Sequence, residues 1–541
     1  MLRKSQTAVL ILLGGSFCIA FYLLLLSFGI FSAEGETQAA DVPAGCQEIV
    51  WLESASAFGD WERIAEAVQW VVDNPPDSGK PWKLKVKQEV STLESEIPEI
   101  VLWQEGHEDQ KLFIRWYKFS SELEIPQWID KLTKRPTPPL AIVGGTNTRR
   151  AVELSKVLDK NRKSWSGQAP LFLITTATSD LAGDRPLMDY YKKRNYRFSF
   201  TNSRMTEAVF DFVPNHPEIW QDNFITPEGI TSLLATTNPI ASTGLTSSFV
   251  YGHRYAMYTV TWKDDKFSED LGNKFGDVFR EHYPDNKRNT LSLNEIPQNI
   301  GDYYTLTKMD IYAQRLVFDT HLQKHDNTRK YLVLPTGSQR ASRFLRTTVN
   351  MAPQMIENMV VLSGDSISFN SIYRDRIREW NILDLPVPLV FFCHRNPVDE
   401  ASGFRVQPTN EKPWATSGTQ DLLLYRDIFD AVLQACFRKN QLIADADTLD
   451  KTLQSARWHR ERVTLNGHGV ALFDANRNRQ KGTGEHVVLM KPLRDGLTLL
   501  ARSNISVWYR DQTPTGQIVW RRRTSPDLSA VPYYPLVSGL E

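Results

Sequence analysis

The sequence predicts an α/β protein built from open parallel sheets flanked by helices, more than one such unit, behind an N-terminal transmembrane helix. Three observations carry this prediction. Apolar runs of strand length alternate with amphipathic segments of helix length along most of the chain. The chain has 541 residues, which calls for two or three domains or one large bilobed one. And residues 7–31 hold no charged side chain.

That first segment, Thr7 to Phe31, is 25 residues long, enough to cross a hydrocarbon core as a helix. Arg3 and Lys4 precede it and Glu34 and Glu36 follow. The positive-inside rule therefore places residues 1–6 in the cytoplasm and the bulk of the chain outside, as a single-pass extracytoplasmic (periplasmic) protein. The run is longer than the apolar region of a signal peptide and no small-x-small site closes it, so it reads as an uncleaved anchor. Residues 32–45 follow as a polar linker. A tail of six residues houses no signalling domain, so any message crossing the membrane passes through a partner.

Beyond the linker, strands are predicted at 48–52, 111–117, 140–144, 171–175, 256–262, 331–335, 359–363 and 388–393. Helices are predicted between several of them. The clearest spans Phe267 to Tyr283, where Phe267, Leu271, Phe275, Val278, Phe279 and Tyr283 recur at offsets of three and four. Others span Arg149 to Arg162 and Gln420 to Phe437, the latter with Leu424, Ile428, Ala431, Val432 and Ala435 on one face. Residues 75–110, charged and Pro-rich, fit the alternation poorly.

Composition removes some functions. Lys plus Arg (63) equals Asp plus Glu (63), and no basic cluster exceeds Arg521-Arg522-Arg523, so the footprint of a nucleic-acid binder is missing. Cys46, Cys393 and Cys436 are spaced too widely for a zinc site and read as buried thiols, with a Cys393–Cys436 bridge as the alternative. No metal and no cofactor is expected. Asp445-Ala446-Asp447, which a membrane-anchored glycosyltransferase would use for a metal, follows a helix instead of ending a strand; the loop "FDANRNR" lacks the closing Glu of a calcium site. Of the 15 tryptophans, Trp51, Trp61 and Trp70 read as core, and Trp262 as the one placed to touch a ligand.

Ligands of open α/β sheets bind beyond the carboxyl ends of the strands. Four strand candidates end there in small, oxygen-bearing residues: "GTNTRR" (145–150), "TTATSD" (175–180), "TGSQR" (336–340) and "GDSISFN" (364–370). Such residues let backbone N–H groups approach a ligand and add hydroxyl and amide partners. Each loop taken singly is also explained by helix capping. Four of them at equivalent positions point to a cleft.

At these residues the chain resembles the type 1 periplasmic solute-binding proteins, the leucine/isoleucine/valine-binding and receptor ligand-binding family. The likeness lies in "LAIVGGTNTRRAVELSKVL" (140–158), "PLFLITTATSDL" (170–181), "YRFSFTNSRMTEAVFDFV" (196–213), "AMYTVTWKDDKFSEDLGNKFGDVFREHY" (256–283), "YLVLPTGSQRASRFLRTTV" (331–349), "MVVLSGDSISFN" (359–370), "QDLLLYRDIFDAVLQACF" (420–437) and "ALFDANRNR" (471–479). It implies two Rossmann-like lobes joined by three hinge strands and closing on a small solute. Lobe 1 would be 46–248 with 418–445, and lobe 2 249–417 with 446–541. Ligand contacts would fall on Thr146, Asn147, Thr148, Ala177, Thr178, Phe267, Ser338 and Asp365, the last pairing with an amino group. Arg149 and Arg150 stand where the family usually has serines, and Phe267 where it has Tyr.

The implied function is non-enzymatic: a membrane-anchored receptor that presents a small polar, amino-acid-like solute to an ABC permease or a sensor. A ligand-free scaffold of the same fold is the alternative. "VVLSGDSISF" also resembles the nucleophile block of GDS-type esterases, with Ser366 attacking. No downstream histidine (His394, His459, His468, His486) has the Asp three residues before it that such a serine's base requires.

Overall fold

The computed structural model describes residues 38–75, 82–86, 93–220 except 94, 122, 217 and 218, 254–293 except 263, 264, 285 and 286, 328–337, 340, 341, 344, 345, 348, 359–367, 387–395, 417–492 except 439, 440, 460, 461 and 466, 503–512 and 518–522. The expected anchor at 7–31, the tail at 1–6, linker residues 32–37 and Ser338 lie outside the described residues. Among the described residues no helix is long and apolar enough to cross a membrane.

The first sheet grows around β1 (Gln47–Ser54), whose six central residues are all buried. After it, α1 (Phe58–Asp73) buries Trp61, Ile64, Ala67, Val68 and Val71, the i, i+3, i+4 stripe of a helix lying on a sheet. β2 (Trp82–Val86), β3 (Glu99–Gln104) and β4 (Leu112–Phe119) follow, then α2 (Ile125–Thr133), β5 (Ala141–Gly144), α3 (Thr148–Lys160), β6 (Leu171–Ile174) and β7 (Asn195–Arg197). The sheet order is β2-β3-β4-β1-β5-β6-β7. From β4 to β7 all pairings are parallel. The register that sets Trp51 of β1 beside Trp116 of β4 brings their rings to 4.9 Å, and Trp61 stacks on both. Trp70 packs at the edge of the same core, so these tryptophans are structural as expected.

The second sheet contains β8 (Arg254–Trp262), β9 (Lys287–Leu293), β10 (Thr328–Val333), β11 (Met359–Ser363) and β12 (Leu389–Cys393), with α5 (Lys266–His282) after β8. Its parallel part runs β9-β8-β10-β11-β12. Numbered by their own succession, the five parallel strands of each sheet therefore stand in the order 2-1-3-4-5. In that order the connections leave the sheet to opposite faces beside the first strand, opening a crevice at the carboxyl ends. The two open α/β sheets are those the sequence predicts.

Other features depart from the expectations. Residues 82–86 and 99–104, in the stretch that fitted poorly, are antiparallel edge strands of the first sheet. Three more antiparallel strands, β13 (His486–Pro492), β14 (Ser503–Gln512) and β15 (Ile518–Arg522), extend the second sheet. Between β12 and these, α6 (Ser417–Cys436) packs on α1. Residues 446–473, placed by the sequence with the second lobe, pack in the first core through Ala446, Leu449, Leu453, Trp458 and Phe473. Conversely, helix α4 (Asn202–Phe212), placed with the first lobe, buries Met205, Val209 and Phe212 in the second core. The chain thus passes between the two cores after β7, between β12 and α6, and between Phe473 and β13. At the last passage buried Arg479 pairs with Asp427 of α6 at 2.9 Å and donates to the carbonyls of Phe198 and Thr483. Trp262 faces inward, 1% exposed and edge-on to Phe344, and is core instead of a ligand contact. Cys46, Cys393 and Cys436 are buried and not disulfide-bonded, so the alternative Cys393–Cys436 bridge is not formed.

Candidate functional site

Loops leaving the carboxyl ends of both sheets enclose a cavity of about 300 Å³. One wall comes from the first sheet. β5 ends where Gly145 adopts φ +76°, and a Cβ there would stand 3.0 Å from that of Ala151, so only glycine fits. The chain then enters α3, whose first turn is capped by Asn147: its side-chain oxygen accepts from the Arg150 N–H at 3.0 Å. Thr146, Asn147 and Thr148 line the cavity. The loop after β6 adds Thr176, Ala177 and Thr178. These two loops are tied together: Thr176 Oγ1 donates to the Thr146 carbonyl at 2.7 Å, and Thr148 Oγ1 to Ser179 Oγ at 2.9 Å. Thr146 Oγ1 donates to Glu53 at 3.0 Å, and burial raises the pKa of that carboxyl.

The other wall comes from the second sheet. Phe267 stands in the first turn of α5, which Asp265 caps by accepting from the Ser268 N–H. Asp365 and Ser366 follow β11, and His394 follows β12. The Phe200 N–H donates to His394 Nδ1 at 3.2 Å, which leaves the ring proton on Nε2, and Nε2 donates to Asp365 Oδ2 at 2.7 Å. The other oxygen, Asp365 Oδ1, is buried with no hydrogen-bond partner. Phe200 lies parallel to the imidazole at 5.8 Å.

Helices close the remaining side. Asp60 comes from the first turn of α1 and is paired with Arg63 at 2.5 Å; Asp421 and Tyr425, one turn apart, come from α6. Burial, then the charge of Asp60, raise Asp421 to about 7, with Asp365 adding and Arg63 opposing. Tyr425 is raised well above a normal phenol, chiefly by burial.

The structure therefore brings Thr146, Asn147, Thr148, Ala177, Thr178, Phe267 and Asp365 to one cavity. Asn147 spends its side-chain oxygen on the helix cap. The two arginines after the first loop stand apart from the cavity lining; Arg150 pairs with Glu153 at 2.8 Å and lies over Phe119. The loops are also a poor esterase. Ser366 Oγ donates to the Thr336 carbonyl at 2.9 Å, and both nitrogens of His394 are engaged elsewhere, so His394 does not take the serine proton. Of the metal pair a glycosyltransferase would need, Asp445 caps a helix and Asp447 pairs with Arg194 at 2.6 Å.

The chain is similar to solved solute-binding proteins. They include a leucine-binding protein of Thermotoga maritima (12% identity, 88% of this chain and 97% of that one, TM-score 0.42). Another is the leucine-, isoleucine-, valine-, threonine- and alanine-binding protein of Brucella ovis in its closed conformation (10%, 91% and 97%, TM-score 0.49). A third is an amino acid ABC transporter substrate-binding protein of Pseudomonas fluorescens (14%, 92% and 100%, TM-score 0.44). No protein-family model and no curated protein matches the sequence.

Six lining residues escaped the sequence reading as ligand contacts: Asp60, Thr176, Ser366, His394, Asp421 and Tyr425. Thr176 lay inside a loop already singled out. Asp421 carried a signal, because it sits three and seven residues before Leu424 and Ile428 and so places a lone acid on the apolar stripe of its helix.

Proposed function

We propose that this chain is a bilobed receptor for a small polar, amino-acid-like solute, and that the cavity between the sheets receives it. The observation that supports this is the convergence of two threonine-bearing loops of the first sheet, Phe267 and the Asp365 carboxylate on one cavity. A carboxylate on that wall suits a solute ammonium, whose charge it would match. The N-terminus of α3 suits the opposite, electron-rich end of the solute. Phe267 would cover it. Because the two walls belong to different sheets, a solute touching both stabilises the arrangement in which they approach, and that closed state is the message. In this reading residues 7–31 hold the receptor at the outer face of a membrane, where an ABC permease or a sensor subunit reads it.

The test is a thermal-shift and calorimetric screen against amino acids, short amides and sugars. A receptor is stabilised by at least one class. Replacing Asp365 by Ala should weaken that binding about 100-fold, the loss expected when one partner of a desolvated ionic contact is removed. A scaffold would respond to none of them, and hydrolysis of an ester probe would favour the esterase.

A further inference from the structure

The charges around the cavity do not balance. Three acidic residues line it, Asp60, Asp365 and Asp421, and among the described residues the lining contains no Lys or Arg. Arg63 neutralises Asp60. His394 donates to Asp365 through a neutral-ring N–H and leaves Oδ1 unmatched. Among the described residues Asp421 has no hydrogen-bond or ion-pair partner, and Arg63 opposes its raised pKa only through its charge. A carboxylate on the second-sheet wall and a carboxyl on the α6 side are therefore left without a cationic partner among the described residues. Among the described residues no group of three acidic, His or Cys side chains converges closely enough to hold a metal ion. A buried charge without a counter-charge is unfavourable, and a ligand that supplies it gains that energy as affinity.

We propose that the solute carries two cationic nitrogens, one bound at Asp365 and the other at Asp421 beside the Asp60–Arg63 pair. This rests on the reading of the cavity as a solute site and gives that solute its chemical class: a basic amino acid or a short diamine. The groups that set the protonation of Asp421 are Asp60 and Arg63 of α1 and Asp365 across the cavity, on top of its burial. Near neutrality the empty cavity keeps a proton on Asp421 in a large share of molecules, and the second cationic nitrogen displaces it into solvent.

The experiment is calorimetry of the full-length chain at pH 7, in two buffers of different ionisation enthalpy, with lysine, 1,5-diaminopentane and norleucine. Lysine or diaminopentane should bind at least ten-fold tighter than norleucine and release protons, whereas norleucine should release none; which of the two dications wins separates an amino acid from a plain diamine. In Asp421→Asn the preference for the dications over norleucine should vanish. Norleucine equalling both dications, or Asp421→Asn keeping the full preference, overturns the inference and leaves the receptor reading standing. If that variant does not fold, the wild-type heats decide, and equal proton release with lysine and norleucine overturns it. If no probe binds and the broader screen also finds nothing, the receptor reading itself falls.

Discussion

The hydroxyl side and the acidic side of the cavity are built on opposite terms. On the hydroxyl side Thr146, Thr148 and Thr176 each donate to a protein partner, Asn147 caps α3, and a glycine that nothing can replace fixes the turn. Those groups are already satisfied, so that side keeps its shape with or without a solute. On the acidic side Asp365 leaves one oxygen unmatched, and Asp421 is protonated with unusual ease. The contrast teaches that shape and affinity are assigned to different residues: the threonine loops pre-organise the cavity, and the carboxylates hold the free energy a ligand can collect.

Three substitutions probe that division. Gly145→Ala forces a Cβ against Ala151 and Phe172 at φ +76°; it should lower stability by about 2–3 kcal/mol, read as a shifted denaturant midpoint. A neutral result would show the hydroxyl side to be pliable. Asp421→Asn acts in the other direction. Because the folded carboxyl holds its proton up to about pH 7 while the unfolded one releases it near 4, wild-type stability falls as pH rises through that interval. The variant should therefore exceed wild type by about 2 kcal/mol at pH 8, with the gap closing near pH 4. Equal stability at both pH values would erase the stored repulsion. The smallest effect belongs to Asn147→Ala, which removes only the cap of α3: a loss of about 1 kcal/mol in thermal denaturation and a change in solute affinity below two-fold. A ten-fold loss of affinity would move Asn147 from the frame to the contacts.

What the sequence made legible follows from how each element is buried. Strands such as 141–144 and 389–393 are covered on both faces, so they read as unbroken apolar runs. The segment 82–86 is a half-exposed edge strand whose lysines alternate outward, Lys83 meeting Glu105 across the pair, and such a pattern looks like solvated loop. Within the site, the loops after β5, β6 and β11 were readable because a strand's carboxyl end is a fixed address in this architecture. Asp60 and Tyr425 were not, since helices α1 and α6 reach the cavity only by packing on each other, a relation no local window contains; Asp421 showed only as a lone acid on an apolar stripe. Trp262 misled for a related reason. Its position beside an Asp-Asp turn suggested exposure, while the alternation of β8 turns it inward.

Cys46, Cys393 and Cys436 lie in the interior, and burial raises the pKa of Cys436 far enough that its reactive anion is scarce in the folded chain. An alkylating reagent applied in a short pulse would therefore leave native molecules unmarked at these positions and tag those that have opened. The protein carries a built-in clock for its own unfolding, readable as the mass that the reagent adds.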